Sequence, residues 1–263
     1  MSHVELPEFH IVIPARYASQ RFPKKLMADL GGKPVLQWGY ELALKAGAKT
    51  VTIATDHELI YQAAQSFGAP VVMTRDDHEN GTERLAEVAE KMGWQRDEII
   101  VNVQGDEPLL PVELIHSTVA ALAQDTASEM ATIACKIHDA EDFFNPNVVK
   151  VVCDEQGRAL YFSRAPMPWD RNGFMDNATN ESLLAEGFPA MRHIGLYVYR
   201  ASLLAKYATL PMSPLEKWEK LEQLRFLHQG IKVQVAQASG LPPHGVDTQD
   251  DLDALRKHIA SAR

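Results

Sequence analysis

A basic loop and two acidic positions carry the chemistry open to this sequence. Residues 14–25 hold Arg16, Arg21, Lys24 and Lys25 among the small residues Ala15, Ala18 and Ser19. Four cations on one loop repel one another unless an anion joins them, and arginine forks with lysine point charges suit phosphate oxygens. The alternative is a solvated basic loop, but its place after a first apolar run in an acidic protein favours phosphate. The glycine spacing of a P-loop or a dinucleotide fingerprint is missing. Further on, the apolar run of "VNVQGDEPLL" (residues 101–110) ends in Gly105, Asp106, Glu107 and Pro108. A carboxylate at the mouth of a core is costly unless paired, hydrogen-bonded or bound to a cation. Beside a polyphosphate, Asp106 suits Mg²⁺, which takes carboxylate and phosphate oxygens. A second carboxylate would help, and "HGVDTQDDL" offers Asp247. Local sequence leaves other readings open: Asp247 or Thr248 as a helix cap, and Asp106 as a turn residue before Pro108.

The elements that must position these groups follow from periodicity. "FHIVIPA", "TVTIATD", "PVVMTRD" and "EIIVNVQGDEP" read as short strands, and "KPVLQWGYELALKAG", "HELIYQAAQSFG" and "TERLAEVAEKMG" as helices closed by glycine. The alternation predicts an α/β fold with a mostly parallel, doubly wound sheet and right-handed crossovers. Ligands of such sheets bind beyond the carboxyl ends of the strands, where the basic loop, "TD", "TRDDHENGTER" and "QGDEP" all fall. From about residue 125 to 205 the rhythm shifts to strands with fewer helices, which predicts an inserted strand-rich lobe within a single domain spanning 1–263. "NGFMDNATNESLLAEGFPAM" lacks periodicity and reads as a mobile loop. "LEKWEKLEQLRFLHQG" reads as one helix, "IKVQVAQ" as a strand and "TQDDLDALRKHIASAR" as a closing helix.

Composition narrows the class. The 263 residues are 46% hydrophobic with a formal net charge of -9, which suits a sizeable core and disfavours nucleic acid or an anionic membrane as partner. No run is long enough to span a bilayer and no signal peptide is expected. Two cysteines, Cys135 and Cys153, in apolar segments suggest buried thiols and a cytoplasmic location.

In chain order, "IPARYASQRFPKKL", "ATDH", "TRDDHENGTERLAEV", "VNVQGDEP", "NPNVVKVV", "YFSRAPMPWDR", "RHIGLYVYR", "SPLEKWEKLEQLR" and "GVDTQDDL" resemble the 3-deoxy-manno-octulosonate cytidylyltransferase (CMP-Kdo synthetase) family over nearly the whole chain. Two positions depart, with Lys24 where the family usually has glycine and Leu26 where it has proline.

The resemblance implies a nucleotide-diphospho-sugar transferase-like fold and transfer of CMP from CTP to the sugar acid Kdo, with Mg²⁺ as cofactor and pyrophosphate released, for lipopolysaccharide biosynthesis. It places Arg16, Arg21 and Lys25 on the CTP phosphates, with Lys25 also catalytic. Gln104, Thr82 and Arg84 lie on the nucleotide side. Asp106 and Asp247 are the implied Mg²⁺ ligands and catalytic residues. Arg164, His193, Tyr197, Glu222 and Gln223 are the implied Kdo pocket, on the inserted lobe and the helix after it, and the lobe is also the implied homodimer contact. The chemistry agrees, because Kdo brings a carboxylate that suits a cation such as Arg164, and hydroxyls that suit Glu222 and Gln223. Each pocket residue also has a plainer reading: His193 as a hydrogen-bonded strand histidine, Tyr197 as core. Two carboxylates meeting without a metal should repel, so Asp106→Asn or Asp247→Asn is expected to keep or raise the stability of the metal-free protein.

Rival readings are a cytidylyltransferase for sialic acid or amino-substituted Kdo, a metal-dependent glycosyltransferase, and a non-catalytic nucleotide sensor. The "YFSR", "RHIG" and "LEQLR" stretches favour Kdo over sialic acid. The basic loop suits a triphosphate better than a diphosphate sugar, and two intact carboxylates argue against a mere sensor.

Overall fold

The computed structural model describes residues 6–17, 22–78, 80–174, 184–185 and 187–261. The first half follows the alternation of its sequence. Strand β1 (Phe9–Ala15) leads into the loop that carries the cations, after which β2 (Asp29–Leu30) and β3 (Lys33–Pro34) form a small hairpin. Helix α1 (Val35–Lys45), strand β4 (Thr50–Thr55), helix α2 (Glu58–Ser66), strand β5 (Val71–Met73), helix α3 (Gly81–Met92) and strand β6 (Ile99–Asn102) follow in turn. α3 is fixed at both ends: the Asn80 side chain accepts from the Glu83 amide, and Gly93 takes φ 66, a left-handed position that favours glycine. β1 pairs in parallel with both β4 and β6, and β4 with β5, so their carboxyl ends share one edge.

Helix α4 (Val112–Gln124) is followed by β7 (Met130–Lys136), α5 (Ala140–Phe144), the hairpin β8 (Lys150–Cys153) and β9 (Ala159–Ser163), and β10 (Met191–Arg200). The chain closes through α6 (Ala201–Tyr207), α7 (Pro214–Glu219), α8 (Gln223–His228), β11 (Val233–Gln237) and α9 (Gln249–Ser261). The described strands form a nine-stranded sheet ordered β11-β7-β10-β6-β1-β4-β5, with β8 and β9 branching from β10. β10 runs antiparallel to β6 and β7, the exception in an otherwise mostly parallel main path.

Two elements differ from expectation. The strand-rich stretch is continuous with the main sheet through β7 and β10, and it is the β8–β9 hairpin that branches off. Residues 215–230 form two helices, not one. Ser213 and Glu216 make a reciprocal capping box that starts α7, and Lys220 takes φ 55 and ends it. Glu216 and Arg225 then lock the two pieces by a buried bidentate pair, Nε and Nη2 to the carboxylate oxygens at 2.8 Å each. The expected mobile loop at 172–191 lies largely outside the described residues.

Alternation along β1 divides the core. Phe9, Ile11 and Ile13 face one cluster with Leu36, Val101 and Ile133, while Val12 faces another with Ile100, Tyr199 and Phe226. Strands buried on both faces explain why these runs read as continuously apolar. Cys135 is buried and Cys153 half-buried, both as free thiols. Among the described residues no helix is long and apolar enough to cross a membrane.

Candidate active site

The carboxyl edge of β1 and β6 opens into a cavity of about 240 Å³ lined by Pro14, Arg16, Lys25, Leu26, Asn80, Gly81, Gln104, Gly105 and Asp106. Gly105 makes the close packing possible: a Cβ there would stand 3.3 Å from the Pro14 carbonyl and 3.4 Å from Leu26. The edge of the sheet thus turns sharply, and Asp106 faces the loop that follows β1.

Lys25 is the centre of the charge arrangement. Its Nζ donates to Asp106 Oδ2 and, at 2.9 Å, to Asp247 Oδ1, although Lys25 and Asp247 are 222 residues apart in sequence. Burial works against the charged ammonium, but Asp106 and Asp247 together outweigh it and hold the Lys25 pKa above its ordinary value. Asp247 arrives because residues 245–247 lie directly on the 106–107 backbone. The Val246 amide donates to the Asp106 carbonyl at 2.8 Å, and a Cβ on Gly245 would approach that oxygen to 2.9 Å. The helix cap that could have claimed Asp247 belongs to its neighbours. The Thr248 hydroxyl donates to Asp251 Oδ2 at 2.8 Å and accepts from the Asp251 amide. The expectation of unrelieved repulsion between Asp106 and Asp247 is therefore corrected: a lysine ammonium stands between them. Glu107, next to this group, is pushed up to about 7 by burial and then by the charges of Asp106 and Asp247.

Around the cavity, Arg16 donates to the backbone carbonyl of His78, and burial followed by the charge of Arg84 lowers its pKa. Gln104 lines the cavity beside Gly105 and Asp106. Arg21 lies outside the described residues. Thr82 and Arg84 are not among the residues that line this cavity. Arg84 is 0% exposed, with Nη2 on Asp56 Oδ2 at 2.6 Å and Nη1 on Thr74, so it ties the ends of β4 and β5 together. Thr82 is equally buried, its hydroxyl 3.1 Å from that of Tyr199 and bonded to Glu222.

A second cavity, about 470 Å³, is lined by Asn80, Asn147, Val149, Arg192, His193, Gly195, Tyr197, Lys220, Leu221, Glu222 and Gln223. Asn80 borders both cavities, so the two are neighbours across the start of α3. β10 bulges between Ile194 and Tyr197, and the Thr132 hydroxyl fills the bulge, 2.8 Å from both the Leu196 carbonyl and His193 Nε2. A hydroxyl has one proton to give, so donation to the carbonyl assigns the Nε2 proton to His193 and leaves Nδ1 as an acceptor. Burial holds His193 down to about 3, so its ring is neutral. The Tyr197 hydroxyl donates to Gln223 Oε1 at 3.0 Å, and the buried Gln223 amide nitrogen has no hydrogen-bond partner among the described residues. Burial raises Glu222 to about 7, partly offset by the Thr82 hydrogen bond.

Arg164, implied for the same pocket, is held by backbone carbonyls. It does not line this cavity; its Nε donates to the Glu219 carbonyl at 2.8 Å and Nη1 to the Pro146 carbonyl at 3.0 Å. The cations that do line it are Arg192, paired with Asp142 at 2.9 Å, and the exposed Lys220. Sequence reasoning missed both. The arginine beside His193 in "RHIG" was visible, but the left-handed turn that brings Lys220 to the rim was not. It also missed Lys150, whose buried ammonium is held by the carbonyls of Asn145, Val148 and Arg164 at 2.9, 2.5 and 2.7 Å.

Comparison with known proteins places the fold and these cavities in context. A family model described as cytidylyltransferase matches residues 10–233. The 3-deoxy-manno-octulosonate cytidylyltransferase of Marinomonas sp. (strain MWYL1) is 77% identical over 260 residues, 99% of this chain and 98% of that one. The chain belongs to the 3-deoxy-manno-octulosonate cytidylyltransferase family. The Vibrio cholerae relative of the same name (strain M66-2) is 52% identical over 252 residues, 96% of this chain and 98% of its own. A solved CMP:2-keto-3-deoxy-manno-octonic acid synthetase complexed with CTP superposes with a TM-score of 0.87 at 40% identity, covering 98% of this chain and all of its own. At 13% identity and TM-score 0.60, the 4-diphosphocytidyl-2C-methyl-D-erythritol synthase of Anaerococcus prevotii shares the fold.

Proposed function

We propose that this cytidylyltransferase moves CMP from CTP to the anomeric 2-hydroxyl of Kdo and releases pyrophosphate, in lipopolysaccharide biosynthesis. The family supplies the reaction class, and the structure supplies a reason for the division of labour. The observation that carries the reading is the meeting of Asp106 and Asp247 at one cation position beside a cavity rimmed by Arg16, with a second cavity next door that His193, Tyr197, Glu222 and Gln223 line together.

The donor set fits Mg²⁺. Two carboxylates already share one positive group, and hard oxygen donors of this number suit an ion that takes its remaining ligands from phosphate and water. Asp106 and Asp247 would hold it, and when bound the ion would screen phosphate charge and lower the pKa of the attacking hydroxyl. Arg16 and Lys25 stabilise charge building on the departing pyrophosphate. The start of α3, at Asn80 and Gly81, lines the same cavity, and the positive end of a helix dipole suits an anion. In the acceptor cavity, neutral His193 accepts from a sugar hydroxyl at Nδ1 and the Gln223 amide donates to a sugar oxygen. Tyr197 keeps that amide oriented. Arg192 and Lys220 at the rim answer the sugar carboxylate in place of Arg164.

The protein would work as a homodimer in the cytoplasm. Leu160 and Trp169 beside the β8–β9 hairpin, and Met212, Leu215 and the 85% exposed Trp218 around α7, supply apolar surface for a second copy. The reaction is tested by following pyrophosphate release from CTP and Mg²⁺ with Kdo, its amino-substituted analogue and sialic acid. Release with Kdo well above the other acids is expected, and release with sialic acid alone would overturn the assignment.

A further inference from the structure

Lys25 occupies the place that a divalent cation would need. Its ammonium donates to Asp106 and Asp247 together, and its side chain is 14% exposed against 25% for Asp106 and 43% for Asp247. An ammonium is a compact point charge with three donors, which satisfies carboxylate oxygens much as a metal ion does. The two cannot share those oxygens. A divalent ion arriving there alone would meet like charge at contact distance and would leave the ammonium half-buried beside Arg16 without an anion. A triphosphate changes that, because its oxygens would enter the cavity that Lys25 and Arg16 both line. The lysine stem can swing without moving the backbone, since Lys25 opens a single short helical turn, residues Lys25–Met27, that Leu26 anchors in the core.

We infer that Lys25 is an internal counter-ion that holds the two carboxylates in the nucleotide-free enzyme and transfers to the triphosphate when metal and nucleotide enter together. The inference rests on reading Asp106 and Asp247 as the metal carboxylates. It couples the two bindings through one side chain, so each strengthens the other by the same factor. It also accounts for how two carboxylates stay converged and oriented before any metal arrives.

The test is a Mn²⁺ titration by calorimetry, checked by the electron paramagnetic resonance of the unbound ion. Wild type, Lys25→Met and Asp247→Asn are each measured without nucleotide and with a CTP analogue that cannot be cleaved. Wild type alone should bind Mn²⁺ weakly and gain tenfold or more in affinity with the analogue. Lys25→Met should bind Mn²⁺ without nucleotide at least tenfold more tightly than wild type and gain less from the analogue, and Asp247→Asn should bind weakly in both conditions. A Lys25→Met protein, folded by circular dichroism, that binds Mn²⁺ no tighter than wild type would overturn the exchange while leaving the metal site standing. Wild type binding Mn²⁺ equally with and without the analogue would overturn it without recourse to any variant. Tight, unchanged binding to Asp247→Asn would remove the two-carboxylate site and the exchange with it.

Discussion

The two cavities that meet at Asn80 are built on opposite principles. On the side of the basic loop, groups of opposite sign hold one another in place, with Lys25 between Asp106 and Asp247. On the acceptor side three of the titratable groups, His193, Glu222 and Tyr197, are pushed toward neutrality, with the cations Arg192 and Lys220 alongside them in the lining. Burial takes His193 down to about 3 and Glu222 up to about 7, and raises Tyr197 far above its ordinary value. The difference matches the ligands. A polyanion needs fixed countercharge, whereas a polyhydroxylated sugar is sorted by hydrogen-bond direction, which a neutral imidazole or amide specifies better than a bare charge.

The contrast predicts different kinds of failure on the two sides, and the largest falls on the nucleotide side. Asp106→Asn should lower pyrophosphate release by a hundredfold or more at saturating substrates if, as proposed, the carboxylate acts in the transition state. Its metal-free melting temperature should fall slightly, because Lys25 loses one partner; with the Asp106 side chain 25% exposed and Asp247 43% exposed, solvent screening limits this to about 1 kcal/mol. A raised melting temperature would restore the picture of two repelling carboxylates.

Next comes the frame of the acceptor cavity. Glu216→Ala leaves Arg225 charged and buried without its carboxylate, which costs about 3–5 kcal/mol. Thermal denaturation should show it, together with weakened Kdo use as α7 and α8 come apart around Lys220. A stable Glu216→Ala enzyme with normal Kdo KM would separate that pair from the cavity.

Within the cavity, His193→Ala and Glu222→Ala should raise the KM for Kdo by about ten- to a hundredfold, the scale of a lost hydrogen bond of roughly 1.5–3 kcal/mol. The KM for CTP should change little. Equal losses for both substrates with a lowered melting temperature would make these residues structural.

Glu222 also gives a pH signature. Its folded pKa, about 7, lies above the ordinary carboxylate value, so its contribution to stability is present at low pH and is lost as pH rises through about 7. Glu222→Gln should therefore melt a few degrees above wild type at pH 8 and no higher than wild type at pH 4. Identical differences at both pH values would show that Glu222 is not neutralised by its surroundings. The smallest effect is expected at Lys24, which holds φ 60. Lys24→Gly should relieve about 1 kcal/mol of left-handed strain at that position, seen as a modest rise in melting temperature.

Sequence made the parallel half legible because its signals are local. Apolar runs, glycine stops and charges at strand ends each belong to one segment, and β1 with β4, β5 and β6 assembled as expected. The meeting of Lys25 with Asp106 and Asp247 was not readable from spacing, since only tertiary packing of residues 245–247 on 106–107 creates it. Resemblance brought the carboxylates together but not the ammonium between them. Nor could the sequence show which protein partners hold Arg84, Thr82 and Arg164, since Asp56, Tyr199 and the Glu219 carbonyl reach them only through tertiary packing. The break at Lys220 escaped because "LEKWEKLEQLRFLHQG" has helical periodicity throughout, and a left-handed lysine leaves no local mark.

The central claim is that Asp106 and Asp247 form one catalytic unit despite lying far apart in sequence. Pyrophosphate release at saturating CTP and Kdo, with Mg²⁺ varied, should be measured for Asp106→Asn, Asp247→Asn and the double variant. Groups that act as a unit lose their effect together. Each single variant should therefore lose a hundredfold or more, and the double variant should be at most a few-fold worse than either. An Asp247→Asn enzyme with near-normal turnover, or losses that multiply in the double variant, would contradict it.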